Sequence, residues 1–222
     1  MKRVCVFDVN ETLLDLAALD PLFERAFGDA SVRQLWFNQL LQSAFVSNIT
    51  DAYVTFGEVA EAALGMTEER RGVSVSDEDR REILGGLRDL PPHPEVPGSL
   101  DRLRDAGFRL ATLTNSTQEV ADAQVRNAGL GDRFEMVLSA DAAKRLKPAP
   151  APYRMAARAL GIPEHGLRLV AAHAWDVAGA MRAGCAAAFV ARQPFDPLVE
   201  KPDVVGADLC EVADGIIAAE AS

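Results

Sequence analysis

The stretch FDVNETLLD, residues 7–15, decides how the rest of the chain is read. The β-branched run RVCVF (3–7) leads into it and stops at a carboxylate, Asp8. Asn10, Glu11 and Thr12 then interrupt before Leu13 and Leu14 resume the apolar pattern. The run reads as a buried strand, and a strand of that kind ending on an acid sets the question of what the acid is for. The asparagine two places on sharpens it, because phosphate chemistry would favour a second acid there.

Outward from this stretch, similar strand-like runs recur at 108–114, 134–139, 167–173 and 186–191. Helical patterns lie between them at 97–106, 117–129, 149–160 and 175–184. Strands alternating with helices at this spacing predict an α/β fold with a parallel sheet and right-handed crossovers. Residues 16–90 differ: apolar residues recur at helical spacing in DPLFERAF, VRQLWFNQLLQSAF and AYVTFGEVAEAAL, with no convincing strand. PPHPEVPG (91–98) then breaks the pattern as a linker. The chain therefore reads as one strand, an all-helical insertion, and the remainder of the sheet.

Composition bounds the function. The chain has 222 residues, enough for one large domain or one domain with a sizeable insertion. A net charge of −10 disfavours nucleic acid and anionic membrane as partners. No apolar run approaches the roughly 20 residues that cross a bilayer, and Met1–Arg3 lead into too short an apolar stretch for a signal peptide. Cys5, Cys185 and Cys210 lie far apart among apolar neighbours, which fits packing roles in a reducing, cytoplasmic compartment.

In an open parallel sheet the ligand site lies at the carboxyl ends of the strands. That rule selects Asp8 after the first strand, Thr114, Asn115 and Ser116 after the second, Lys147 beyond the third, and His173 and Asp176 after the fourth. The four segments converge on one crevice roofed by the helical insertion.

This ordered set resembles the haloacid dehalogenase superfamily: a nucleophilic Asp in a D-x-x-x-T loop (here DVNET), a Ser/Thr after strand two, a Lys, and an acidic loop after strand four. LW at 35–36, LTNST at 113–117, KPAPAPY with Lys147 six residues before Tyr153, and AWD at 174–176 make it similar to the type II L-2-haloacid dehalogenases over essentially the whole chain. The resemblance implies a Rossmann-like core of residues 1–14 and 97–222, with a helical cap of residues 15–96. It also implies hydrolytic dehalogenation of a small anionic 2-haloacid, with no cofactor and no required metal, and a homodimer formed through the cap.

The chemistry follows residue by residue. A strand-tip carboxylate met by its own loop's N–H groups is held ionised and aimed, and by attacking carbon or phosphorus it forms an ester that divides one hydrolysis into two steps. Asn10 cannot transfer the proton that a leaving alkoxide needs, whereas a halide leaves without one, so Asn10 favours dehalogenation over a Mg²⁺-dependent phosphatase. Asn10 either acts on the substrate or caps the loop turn. Thr12 either orients Asp8 or packs. Lys147 is expected to neutralise Asp8 and Asp176 and to support the substrate carboxylate. Thr114 and Asn115 are candidate donors to the substrate. By resemblance Tyr153 helps line the site and hold the lysine, against a plain core role, and Trp36 and Trp175 read as packing.

Two places depart from the resemblance. Phe37 stands where those dehalogenases have an arginine that receives substrate and halide, and Phe37, Leu41 and Phe45 form a stripe that is either cap core or an apolar pocket wall. Ala171-Ala172-His173 replaces Ser-Ser-Asn. His173 is then either a satisfied loop histidine or the base for water attacking the Asp8 ester, a role that suits a pKa near neutrality. A dehalogenase-like protein with lost or altered activity is the third reading, against which stand the retained Asp8, Thr12, Lys147 and Asp176.

Overall fold

The computed structural model describes residues 2–221. Strands β1 (Val4–Phe7), β2 (Leu110–Thr114), β3 (Met136–Ser139), β4 (Leu167–Ala171), β5 (Ala186–Val190) and β6 (Val204–Gly206) form one sheet in the order β3-β2-β1-β4-β5-β6. Every pairing is parallel, as the alternation of strands and helices predicts. All residues of β1, β2 and β4 are buried, the signature of a sheet covered on both faces.

Side-chain alternation along β1 shows the two layers. Cys5 and Phe7, followed by Val9, face a cluster with α5 (Val96–Asp105) and α9 (Leu209–Ala219). Val4 and Val6 face the opposite cluster, with α7 (Pro150–Ala159) and α8 (Ala174–Arg182). Helix α6 (Gln118–Asn127) joins β2 to β3. The order places β1 between β2 and β4, with Phe7 in register with both Thr112 and Val170. Successive connections run to opposite sides of β1, so the crevice of a doubly wound sheet opens above its tip.

Between β1 and α5 the chain builds α1 (Asp20–Phe27), α2 (Val32–Ile49), α3 (Phe56–Arg71) and α4 (Asp77–Gly86). Thr55 and Glu58 form a capping box that starts α3, and Gly72 ends it with φ +65°. Trp36, Leu40 and Ala44 are fully buried at i, i+4 and i+8 of α2, and the Trp36 indole N–H donates to the Ala60 carbonyl of α3 at 3.0 Å. The two crossings between this helical segment and the sheet are tied together: Asp15 N–H donates to Pro91 O at 2.8 Å and His93 N–H to Leu13 O at 3.0 Å.

Three expectations need correction. β6 and α9 follow the last strand read from sequence; β6 is only three residues long and ends in glycine, too short for an alternating pattern to register. The linker is shorter than PPHPEVPG, because α5 already begins at Val96, with proline tolerated in its first turn. Cys210 is exposed on α9, while Cys5 and Cys185 are buried and burial pushes each thiol up to about 12. Among the described residues no helix is long and apolar enough to cross a membrane.

Candidate active site

Asp8 leaves the end of β1 with its own N–H donating to Val170 O of β4 at 3.0 Å, which fixes the backbone and aims the carboxylate across the tips of β2 and β4. It is 5% exposed. The Thr12 hydroxyl donates to Asp8 Oδ2 at 2.9 Å and accepts the Ala172 N–H at 2.9 Å, so Thr12 aligns the carboxylate and ties its loop to the end of β4. Lys147 Nζ donates to Asp8 Oδ1 at 2.8 Å, to Asp176 Oδ2 at 2.6 Å and to Leu113 O at 2.8 Å. Those three bonds use every N–H of the ammonium, so Lys147 has none left for a substrate carboxylate, contrary to that part of the sequence expectation.

Burial works against charge throughout this cluster, and partners decide the outcome. For Asp8, burial favours the neutral acid, but the Lys147 charge and the His173 hydrogen bond outweigh it and hold the carboxyl well below the usual range. For Asp176, burial prevails and raises the carboxyl, opposed by Lys147 and reinforced by the Asp8 charge. Lys147 is itself held above its ordinary value because Asp176 and Asp8 outweigh its desolvation. Asp8 is therefore the ionised member of the pair.

Tyr153 does not line the site. Its hydroxyl lies behind Asp176, donating to Oδ1 at 2.6 Å, and it reaches the lysine only through that carboxylate. It packs on Gly179 of α8, where an added Cβ would stand 2.5 Å from the Tyr153 hydroxyl and 2.8 Å from the Pro148 carbonyl. Gly179→Ala is expected to cost about 1–3 kcal/mol by overpacking, read as a lower urea midpoint with an unchanged m-value. Asn115 lines the cavity and also holds the lysine's backbone: its Oδ1 accepts the Lys147 N–H at 2.7 Å and one Nδ2 hydrogen is donated to Lys147 O at 3.3 Å, which leaves the other. From α2, Asn48 clamps the preceding residue in the same two-way manner, through Leu146 N–H and O at 3.1 and 2.8 Å.

Asn10 is oriented by a partner that sequence alone did not single out. Gln124 of α6 is fully buried, and its Nε2 donates to the Leu87 carbonyl at 2.7 Å and to Asn10 Oδ1 at 2.8 Å. A backbone carbonyl can only accept, so Gln124 presents its nitrogen and Asn10 must answer with its oxygen. The Asn10 amide nitrogen is what remains for the cavity. The signal was a polar residue on the apolar face of ADAQV.

His173 joins two carboxylates. Its Nδ1 lies 3.2 Å from Asp8 Oδ2 and its Nε2 2.8 Å from Glu11 Oε2. Burial disfavours the imidazolium, yet the bonds to Asp8 and Glu11 push it up to about 9. This corrects the expectation of a histidine titrating near neutrality: in the resting protein His173 is charged at pH 7. Because its folded value lies above the ordinary 6.5, its stabilisation is full below about pH 6.5 and is lost as pH rises through about 9. Chemical denaturation is expected to show up to about 3 kcal/mol lost over that window, with the slope absent in His173→Asn.

Asp8, Asn10, Thr114 and Asn115 face Phe37 and Leu41 of α2, Phe56, His173 and Trp175 around a cavity of about 10 Å³, room for one water. The Phe37–Leu41–Phe45 stripe thus includes a pocket wall, with Phe45 edge-on to Trp175 at 5.4 Å. Trp175, read from sequence as packing, lines the cavity instead. An outer cleft of about 400 Å³ shares Phe37, Leu41, His173 and Trp175 with the inner cavity and adds Glu11, Gln34 and Gln193. Glu11 is the residue sequence reasoning passed over, although it sits inside the opening motif. It adopts φ +61°, a left-handed conformation that L-residues other than Gly, Asn and Asp rarely take.

The donor set does not suit a divalent cation. The Lys147 ammonium fills the space between Asp8 and Asp176, and among the described residues no group of three or more His, Cys, Asp or Glu side chains is arranged to hold a metal ion.

Comparisons with known proteins agree with this geometry. A family model described as haloacid dehalogenase-like hydrolase matches residues 2–184. The chain is 31% identical to haloacetate dehalogenase H-2 of Moraxella sp. (strain B), covering 91% of this chain and 93% of that one. It is 30% identical to an (S)-2-haloacid dehalogenase of Pseudomonas sp. (strain YL), covering 89% and 87%. The structure of L-2-haloacid dehalogenase from Xanthobacter autotrophicus with chloropropionic acid covalently bound superimposes with a TM-score of 0.90 at 25% identity, covering 96% of this chain and 98% of that one.

Proposed function

The chain belongs to the haloacid dehalogenase-like hydrolases, and from that membership we propose that it hydrolyses the carbon–halogen bond of small 2-haloacids to give 2-hydroxyacids through an Asp8 ester. The observation that carries this reading is an ionised, buried Asp8 whose loop offers an amide, Asn10, where proton transfer to an alkoxide would require an acid. Asp8 Oδ attacks the halogen-bearing carbon, the halide leaves with the bonding pair, and water then opens the ester at the Asp8 carbonyl carbon. Thr12 aims the nucleophile. Lys147 holds Asp8 and Asp176 together and carries their excess charge. Asn10 and Thr114 supply donors to the substrate carboxylate or halide, while Phe37 and Leu41 exclude water around the reacting carbon. Asp176 serves the lysine and Tyr153 acts through Asp176, while Asn115 holds the lysine's backbone and keeps one amide hydrogen for the cavity.

In this reading residues 15–96 work as a cap over a core of residues 1–14 and 97–222, supported by the cavity they close together. Turnover needs no metal, since a lysine stands between the two acids. The buried thiols of Cys5 and Cys185 fit a cytoplasmic setting, and the exposed Leu35, Val46 and Ile49 along α2 support pairing of two copies through the cap.

The test is incubation with chloroacetate, (S)-2-chloropropionate and a generic phosphate ester, with Mg²⁺ or EDTA. EDTA-resistant halide release with a mass increment on the Asp8 peptide is the expected result. Phosphate release that needs Mg²⁺, without halide release, would overturn it.

A further inference from the structure

Two side-chain amides of α6 grip the chain where it returns from the helical segment to the sheet. Asn127 donates through Nδ2 to Asp89 Oδ1 at 2.7 Å and to Arg88 O at 3.2 Å. One turn earlier, Gln124 donates through Nε2 to Leu87 O at 2.7 Å. Leu87 caps the end of α4, where a helix leaves its last carbonyls without intrahelical partners. Asn127 is exposed and its contacts end there. Gln124 is fully buried and continues inward, to Asn10 Oδ1 at 2.8 Å. Each link has one allowed sense. The carbonyl of Leu87 only accepts, so Gln124 turns its nitrogen outward to both partners, and Asn10 answers with oxygen. Turning either amide would set acceptor against acceptor or donor against donor in a buried place. The polarity of one peptide group at the end of α4 is thus carried through two amides to the cavity that Asn10 shares with Asp8.

We propose that Gln124 is a positioning residue that sets the substrate class of the site: by fixing Asn10 as a donor, it selects the ionised 2-haloacid over the corresponding neutral amide. This deepens the dehalogenase reading and rests on it for its kinetic half. A carboxylate offers acceptors only, and its bonds to N–H groups are charge-assisted and roughly twice as strong as those of a neutral group. Thr114 can serve as donor or acceptor through its hydroxyl, whereas Asn10, with Gln124 behind it, can only donate. With its oxygen turned to the cavity instead, Asn10 would meet the acid acceptor to acceptor and would receive an N–H from the amide. Gln124→Glu makes that reversal. A neutral carboxyl there has one O–H, which Leu87 O takes, so its other oxygen accepts from Asn10 and Asn10 turns. An ionised carboxyl has no donor at all, and Asn10 turns likewise.

Side-chain amide hydrogen exchange in the full-length protein, followed in ¹H–¹⁵N spectra, tests the geometry without substrate. The two amide pairs are assigned by their loss in Gln124→Met and Asn10→Ser. In wild type the Gln124 pair is spent on Leu87 O and Asn10 Oδ1, so it should exchange more slowly than the Asn10 pair. In Gln124→Glu the Asn10 pair should become slow. A wild-type Asn10 pair as slow as that of Gln124, or one unchanged by Gln124→Glu, would overturn the proposal. Kinetics on (S)-2-chloropropionate and (S)-2-chloropropionamide test the consequence. Gln124→Glu should raise KM for the acid about 10- to 100-fold, the loss of one charge-assisted bond, with kcat changing much less and the amide losing nothing. Gln124→Met, which leaves Asn10 free to turn, should move the acid-to-amide preference in the same direction by less. Asn127→Ala loosens the same returning segment without touching Asn10 and should leave the preference where it is. A fall shared equally by acid and amide in the Gln124 variants, or the same shift of preference in Asn127→Ala, would make Gln124 a plain structural tie and overturn its positioning role. The exchange measurements need no turnover, so absence of halide release from wild type counts against the dehalogenase reading alone.

Discussion

Lys147→Met is expected to destabilise the protein by about 3–5 kcal/mol at pH 7, the cost of leaving buried carboxylates without their counter-charge. The ammonium is the only link between Asp8 and Asp176, and all three residues are buried. The effect has a definite pH dependence. Asp176 is already raised by burial and by Asp8, so without the lysine it takes up a proton and the repulsion is relieved. The deficit relative to wild type should therefore shrink on acidification, as protonation of Asp176 substitutes for the missing cation. Urea denaturation at pH 7 and pH 5 measures both. Equal stability of variant and wild type at pH 7 would mean that the cluster is not the closed ionic unit described above. Halide release should fall in the same variant, because Asp8 loses one of the two partners, Lys147 and His173, that hold it ionised and in place.

Asp8→Asn is expected to reduce halide release on the order of 10⁴-fold or more, the scale seen when a nucleophile is removed from a site whose other groups remain. An asparagine keeps one acceptor oxygen for Lys147, and its amide nitrogen replaces the oxygen that Thr12 and His173 meet, so circular dichroism checks that the fold survives. The chemical consequence is checked on wild type by single turnover in ¹⁸O water. If water opens the ester at the Asp8 carbonyl, the heavy oxygen appears in the Asp8 peptide and the first hydroxyacid carries protein-derived oxygen. Label found directly in the product at first turnover would exclude the ester.

Much of this was legible in the chain because its strongest signals are local. β1, β2 and β4 are continuous apolar runs, as strands buried on both faces must be, and the groups that follow them sit at the site because a parallel sheet delivers its carboxyl ends to one edge. What escaped was pairwise. By resemblance Tyr153 was expected to help line the site, and nothing local shows that it stands behind Asp176, or that Asn115, which does line the cavity, also clamps the Lys147 backbone. Gln124 and Asn10 are 114 residues apart and meet only in three dimensions. The charge state of His173 depends on Glu11, which in turn depends on a backbone angle that no composition rule assigns to glutamate. β6 was missed for a different reason: three residues, one of them exposed, leave no period to detect.

Helix α2 carries two attachments of different kind. Near its start Phe37 closes the cavity, and near its end Asn48 grips Leu146, the residue before Lys147. One helix therefore supplies both the wall that sets the width of the pocket and the hold on the residue before the ammonium. A substitution that repacks α2 is expected to be felt twice, once in the size of the group admitted and once in the placing of the counter-charge on the nucleophile.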